Sequence, residues 1–129
     1  MTQPLVLVVE DDPVLRDMTR RQLAKLGFES VLVGSGEEAV ELDRSQFGLI
    51  FMDIGLPGID GTYATLLIRE KELQQQKKRV PIVALTGHSD KQKALSVGMD
   101  DFLQKPALIA DIKRVLDKWL CVPNNIRHT

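Results

Sequence analysis

Cysteine is almost absent from this chain: Cys121 is the only one among 129 residues. A lone cysteine cannot close an internal disulfide, and it has no thiolate partners for a zinc site. A reducing, cytoplasmic compartment is therefore expected. Long apolar runs are missing too, since none approaches the ~20 residues that span a bilayer. The opening Met1-Thr2-Gln3-Pro4 carries no basic stretch of the secretory kind. There is no excess of positive charge. A formal net charge of -1 and a pI near 6.1 give no reason to expect direct contact with nucleic acid or with a membrane surface. Internal repeats and linkers are also absent. What is present is 43% hydrophobic residues, enough for one core in a chain of about single-domain length.

The apolar residues fall into short runs that alternate with helical patterns. Leu5 to Val9 reads as a strand buried on both faces. Asp12 and Pro13 then give an N-cap and a first helical residue. Leu15, Met18, Leu23 and Leu26 line one face of the helix that follows, and Gly27 closes it. Ser30 to Val33 is a second strand. Ser35 and Glu38 have capping-box spacing for a helix from Gly36 to Arg44. Leu49 to Met52 is a third strand, and the loop from Gly55 to Gly61 is dense in turn residues. A helix over Thr62 to Gln76 follows, and its polar far end, from Glu70 to Arg79, is expected to be solvated. Pro81 to Leu85 is the fourth strand, Asp90 to Val97 a short helix, and Asp101 to Gln104 the fifth strand. The last helix runs from Leu108 to Leu120, with Ile112, Val115, Leu116 and Trp119 at helical spacing. Residues 1–121 thus form one domain, and Val122 to Thr129 a polar tail.

Strict alternation of five strands and five helices implies an α/β fold: a parallel sheet covered on both faces, with right-handed crossovers. Five strands favour the doubly wound order 2-1-3-4-5. Ligands of such sheets bind beyond the carboxyl ends of the strands, where strand order reverses, here between strands 1 and 3. Strand 1 delivers Glu10, Asp11 and Asp12 to that edge, strand 3 delivers Asp53, strand 4 Thr86 and strand 5 Lys105. Strand 2 ends in Gly34, which adds no chemistry. Asp12 is assigned to capping and not to the cluster. Converging carboxylates repel, by about 1 kcal/mol at 4 Å in water and about 4 at an effective dielectric of 20. A cation is the natural compensation, and Mg²⁺ suits a site of hard oxygen ligands with one or two carboxylates. A metal, a lysine, a hydroxyl and an aspartate together suit a phosphoryl group, with Asp53 as the attacking carboxylate.

Four segments carry a family resemblance: Leu7 to Asp12, Met52 to Gly61, Ala84 to Gly87, and Gly98 to Pro106. Together, and in this order, they resemble the signature blocks of CheY-like receiver domains of two-component response regulators. Gly98-Met99-Asp100-Asp101-Phe102 is somewhat more similar to receivers of hybrid sensor histidine kinases. The resemblance implies a flavodoxin-like fold and a phosphorelay switch rather than an enzyme in its own right, although a piece cut from a hybrid sensor would belong to a kinase. It makes Asp53 the phosphoacceptor, Asp11 a direct Mg²⁺ ligand, Glu10 a ligand acting through water, and the Gly55 carbonyl a further ligand. Thr86 becomes the switch hydroxyl, Phe102 the aromatic that moves with it, and Lys105 the phosphate-binding lysine, with a cis bond to Pro106. The implied partner is a histidine kinase or a histidine phosphotransfer protein. The implied response is a change in the surface of helix 4, strand 5 and helix 5, in a monomer or a phosphorylation-dependent dimer.

Three other readings compete. A Mg²⁺-dependent phosphohydrolase working through an aspartyl phosphate would want Asp-x-Asp at the first strand's end and a cap domain. A flavin-binding module would want a hydroxyl-rich phosphate loop where Glu10-Asp11-Asp12 stands, and these carboxylates repel phosphate. A degenerate receiver used only for contacts would not need the intact acidic set of Glu10, Asp11 and Asp53, nor Thr86 and Lys105.

Overall fold

The structure is a computed structural model and describes residues 4–42, 46–87 and 91–120. The expected helix start at Asp90, Cys121 and the tail from Val122 lie outside the described residues. The helix expected to reach Arg44 stops at Glu41, because Leu42 turns extended (φ -70°, ψ 150°) as its C-cap.

Five strands and five helices alternate along the chain: β1 (Leu5–Val9), α1 (Pro13–Lys25), β2 (Ser30–Val33), α2 (Gly36–Glu41), β3 (Phe47–Asp53), α3 (Gly61–Gln74), β4 (Ile82–Thr86), α4 (Lys91–Ser96), β5 (Asp101–Gln104) and α5 (Ile109–Trp119). All pairings are parallel and the order is β2-β1-β3-β4-β5. The order expected from the sequence is therefore the one found.

The two-residue period of the strands divides the core. Leu7, Val9, Ile50, Met52, Ile82 and Ala84 face one way and pack with Ala39 of α2, Ala64 and Ile68 of α3, and Ala94 of α4. Val6, Val8, Leu49, Phe51, Val83, Leu85 and Leu103 face the other way, against Leu23 of α1 and Ile112, Val115 and Leu116 of α5. This split accounts for the unbroken apolar runs of Leu5 to Val9, Leu49 to Met52 and Ile82 to Leu85 in the central strands, because each successive residue meets a helix layer.

Local chemistry sets the element ends. The Asp12 carboxylate accepts from the N–H groups of Val14 and Leu15 at 2.9 and 3.3 Å, which fixes it as the cap of α1. Ser35 accepts from the Glu38 N–H at 3.1 Å, and Glu38 in turn accepts from the Gly34 N–H at 3.2 Å. Asp60 caps α3 through the Tyr63 N–H at 2.9 Å. Its carboxyl is held below the usual range by the Thr62 hydroxyl and by that N–H. β3 starts two residues earlier than the apolar run suggests. Gly48 interrupts the run, and the β1–β3 register shifts there, with Leu5 opposite Phe47 and Val6 opposite Leu49. At the far end of β5, Trp119 donates its indole N–H to Asp101 at 3.0 Å, and the Lys118 ammonium lies 5.2 Å from the indole centroid.

A second expectation fails at the far end of α3. The polar end of α3 is not uniformly solvated: Leu73 is 81% exposed, but Glu72 is only 6% exposed. The Glu72 carboxylate accepts from Arg69 Nη1 at 2.8 Å and from the Val80 N–H at 2.9 Å. Arg69 also donates to the carbonyls of Val80 and Gly98 and to Asp100. Arg79 pairs with Asp100 as well. A carboxylate can be buried when its charge is matched and its oxygens are bonded.

Candidate functional site

β1 and β3 are neighbours, so their ends bring Glu10, Asp11 and Asp53 to one place. Ligand oxygens of these three lie within 4.8 Å of one another. Glu10 and Asp53 are 1% and 3% exposed, whereas Asp11 is open to solvent. Lys105, just beyond β5, reaches across the edge. Its Nζ stands 3.2 Å from Glu10 Oε1 and 3.1 Å from Asp53 Oδ2. The other oxygen of Asp53 accepts from the Gly55 N–H at 3.1 Å, and the other oxygen of Glu10 from the Asp12 N–H at 3.1 Å.

These surroundings set the protonation behaviour. Burial pushes the Glu10 carboxyl up to about 7, the negative charge of Asp53 adds to the rise, and the Asp12 N–H opposes it. Burial works against the Lys105 ammonium, but hydrogen bonding and attraction to Asp53, and then to Glu10, outweigh it and hold the pKa above the ordinary lysine value.

The donor set fits a small hard cation. Octahedral oxygens at 2.0–2.1 Å stand about 2.9 Å apart when adjacent and about 4.2 Å when opposite. Carboxylate oxygens already within 4.8 Å of each other need only small rotations to meet that geometry.

The remaining expected residues sit nearby in different ways. Thr86 ends β4, is buried, and its carbonyl accepts from the Lys105 N–H at 2.7 Å. The Lys105–Pro106 bond is cis. Phe102 lies opposite Ala84 in the β4–β5 register and packs on the core face shared by α2, α3 and α4.

Two glycines matter in ways the sequence did not reveal. A Cβ at Gly61 would collide with the main-chain carbonyl of Asp53. The start of α3 can therefore lie directly against the end of β3. Gly34 leaves room for Arg16, whose Nη1 donates to the Glu10 carbonyl at 3.0 Å. Turn-rich composition is the only local signal for Gly61, and nothing local marks Arg16.

Comparison with known proteins agrees with this geometry. Residues 6–117 match the family model of the response regulator receiver domain. Hybrid signal transduction histidine kinase F of Dictyostelium discoideum is 38% identical over 129 residues, covering 96% of this chain and 12% of the kinase. The chain thus spans about an eighth of that relative. Among solved structures, the co-crystal of the Saccharomyces cerevisiae phosphotransfer protein Ypd1 with the receiver domain of Ssk1 matches at a TM-score of 0.87 and 33% identity, covering 93% of this chain and 90% of the matched one. The receiver of sensor histidine kinase PA1611 from Pseudomonas aeruginosa PAO1, with magnesium coordinated in its active-site cleft, matches at 0.80 and 37%, covering 94% and 100%. The acidic edge of this sheet and its matching relatives place the chain in the response regulator receiver domain family, the receivers of phosphorelay signalling.

Proposed function

We propose that Asp53 is the phosphoacceptor of this receiver, working with Mg²⁺ held by Asp11, Asp53 and the Gly55 carbonyl, and by Glu10 through water. The observation that carries this is the grip on Asp53. It is a buried carboxylate with Lys105 on one oxygen and the Gly55 N–H on the other. In the transfer, a carboxylate oxygen of Asp53 attacks the phosphorus of a phosphohistidine. An O–P bond forms, the N–P bond breaks, and the imidazole nitrogen leaves with the electron pair. When bound, the cation supplies positive charge to the phosphoryl oxygens. Lys105 supplies more, from the other side. Asp53 is fixed by its two hydrogen bonds, so little of the work remains beyond alignment.

Thr86 then hydrogen-bonds the phosphoryl group and Phe102 takes up the space it leaves, which alters the face made by α4, β5 and α5. The partner is a histidine kinase or a histidine phosphotransfer protein. Ypd1 plays that part for the Ssk1 receiver in the co-crystal. Exposed Val14, Leu108 and Ile109 lie at the starts of α1 and α5, which follow the carboxyl ends of β1 and β5, and offer apolar area for such a protein. Among the described residues, no helix is long and apolar enough to cross a membrane. The test is phosphorylation of the purified chain by a small phosphodonor with Mg²⁺. Acceptance is expected, and loss on Asp53→Asn; unchanged acceptance by the variant would overturn the assignment.

A further inference from the structure

Glu10 is tied at every polar group. Its N–H donates to the Val33 carbonyl at 3.1 Å, one carboxylate oxygen accepts from Asp12, and the other from Lys105. The fourth tie is Arg16 on α1, whose guanidinium reaches back to the Glu10 carbonyl at 3.0 Å. Helical side chains lean toward the amino terminus, which makes this reach natural. The guanidinium passes over the end of β2. A Cβ built on Gly34 would stand 2.9 Å from Arg16 Nη1, with the next atom, Glu38 Oε1, at 3.9 Å. Gly34 is not among the glycines with positive φ. A side chain there would have to push the Arg16 guanidinium aside; the backbone conformation itself would accept one.

We propose that Arg16 is a positioning residue of the cation site and that Gly34 is the opening that admits it. The bonded carbonyl belongs to the peptide plane joining Glu10 to Asp11. Holding that plane fixes the backbone of two of the three clustered carboxylates at once. Arg16 touches none of their carboxylate oxygens and acts only through the peptide. Without Arg16, a carbonyl in a residue 1% exposed loses its charged donor. The plane must then turn to find another, and both carboxylates turn with it. Outer partners of this kind tune metal affinity without binding the metal.

The inference rests on the proposed Mg²⁺ site, and Mg²⁺ alone is the probe. Titration calorimetry of the full chain should show Arg16→Met binding Mg²⁺ about tenfold more weakly. Arg16→Lys, which keeps a donor on a long stem, should recover part of the loss. Gly34→Ala should fold, because the atom it meets is the far end of a flexible side chain, and it should weaken Mg²⁺ in the same direction. Both changes act on one hydrogen bond, so the double variant should bind no worse than Arg16→Met. Affinity within twofold of the unmodified chain in Arg16→Met, or a Gly34→Ala loss that adds in full, overturns the proposal. Should Arg16→Met not fold, Gly34→Ala decides alone, and unchanged affinity there overturns it. Failure of the phosphoacceptor reading looks different: an unmodified chain that binds Mg²⁺ but takes no phosphoryl group.

Discussion

Two charge clusters stand at opposite ends of the sheet, and they differ in their balance. At the carboxyl end, three carboxylates (Glu10, Asp11 and Asp53) share one ammonium, Lys105. At the other end, two carboxylates (Glu72 and Asp100) meet two guanidinium groups, Arg69 and Arg79. The second cluster is also bonded to the chain around it. Val80 and Gly98 accept through their carbonyls, and Val80 and Ile82 donate through their N–H groups. A matched, fully bonded cluster joins α3, β4 and the turn before β5 and needs nothing more. A cluster with surplus negative charge is stable only in part, and it gains by taking up a cation. The contrast separates a cluster that satisfies itself from one with charge to spare.

Breaking the matched cluster should cost most. Arg69→Met strands Glu72 and Asp100, and chemical denaturation should show a loss of about 3–5 kcal/mol. Mg²⁺ affinity in the folded fraction should not change. A loss below about 1 kcal/mol, the range of exposed pairs, would erase the contrast.

The unmatched cluster should answer differently. Lys105→Met should slow acceptance from a small phosphodonor by about 10²–10³-fold, as for loss of one transition-state donor. The same change should tighten Mg²⁺, because the ammonium no longer competes for Glu10 and Asp53. Weaker Mg²⁺ binding would mean that Lys105 organises the carboxylates more than it competes for them.

Acidity gives a third measure. Glu10 titrates near 7 in the fold against an ordinary value of 4.5. Between these values the folded chain keeps a proton that the unfolded chain has lost. Without a divalent cation, stability should therefore fall as pH rises from about 4.5 to about 7, and then level. Saturating Mg²⁺, which favours the ionised form, should flatten that fall, and so should Glu10→Gln. Melting temperature against pH, with and without Mg²⁺, checks this, and a rise across the window would contradict it. The smallest effect belongs to the exposed Lys113–Asp117 pair on α5, at 2.8 Å. Asp117→Ala should change stability by no more than about 0.5 kcal/mol.

The two clusters were not equally visible in the amino-acid order. Glu10, Asp11, Asp53 and Lys105 could be read because each stands where an apolar run stops, and a parallel sheet gathers such stops at one edge. Alternation implied the parallel sheet, and the five-stranded doubly wound class supplied its order. Arg69, Glu72, Arg79 and Asp100 gave no such signal. They are spread over 32 residues from Arg69 to Asp100, and a polar helix end reads the same whether solvated or paired. Gly34 and Gly61 were hidden for a related reason. Their meaning lies in what approaches them across the fold, Arg16 in one case and the Asp53 carbonyl in the other. Element ends slipped by one to three residues where Gly48 broke an apolar run and where caps, not hydrophobic period, set the boundary.

The indole of Trp119 is hydrogen-bonded to Asp101, the residue before Phe102, and it is the chain's single tryptophan. Its fluorescence therefore comes from one spot, at the end of β5 away from Asp53. A rearrangement of β5 that stretches this bond will change the emission, so the protein carries an unlabelled optical probe of whether an event at one end of the sheet reaches the other.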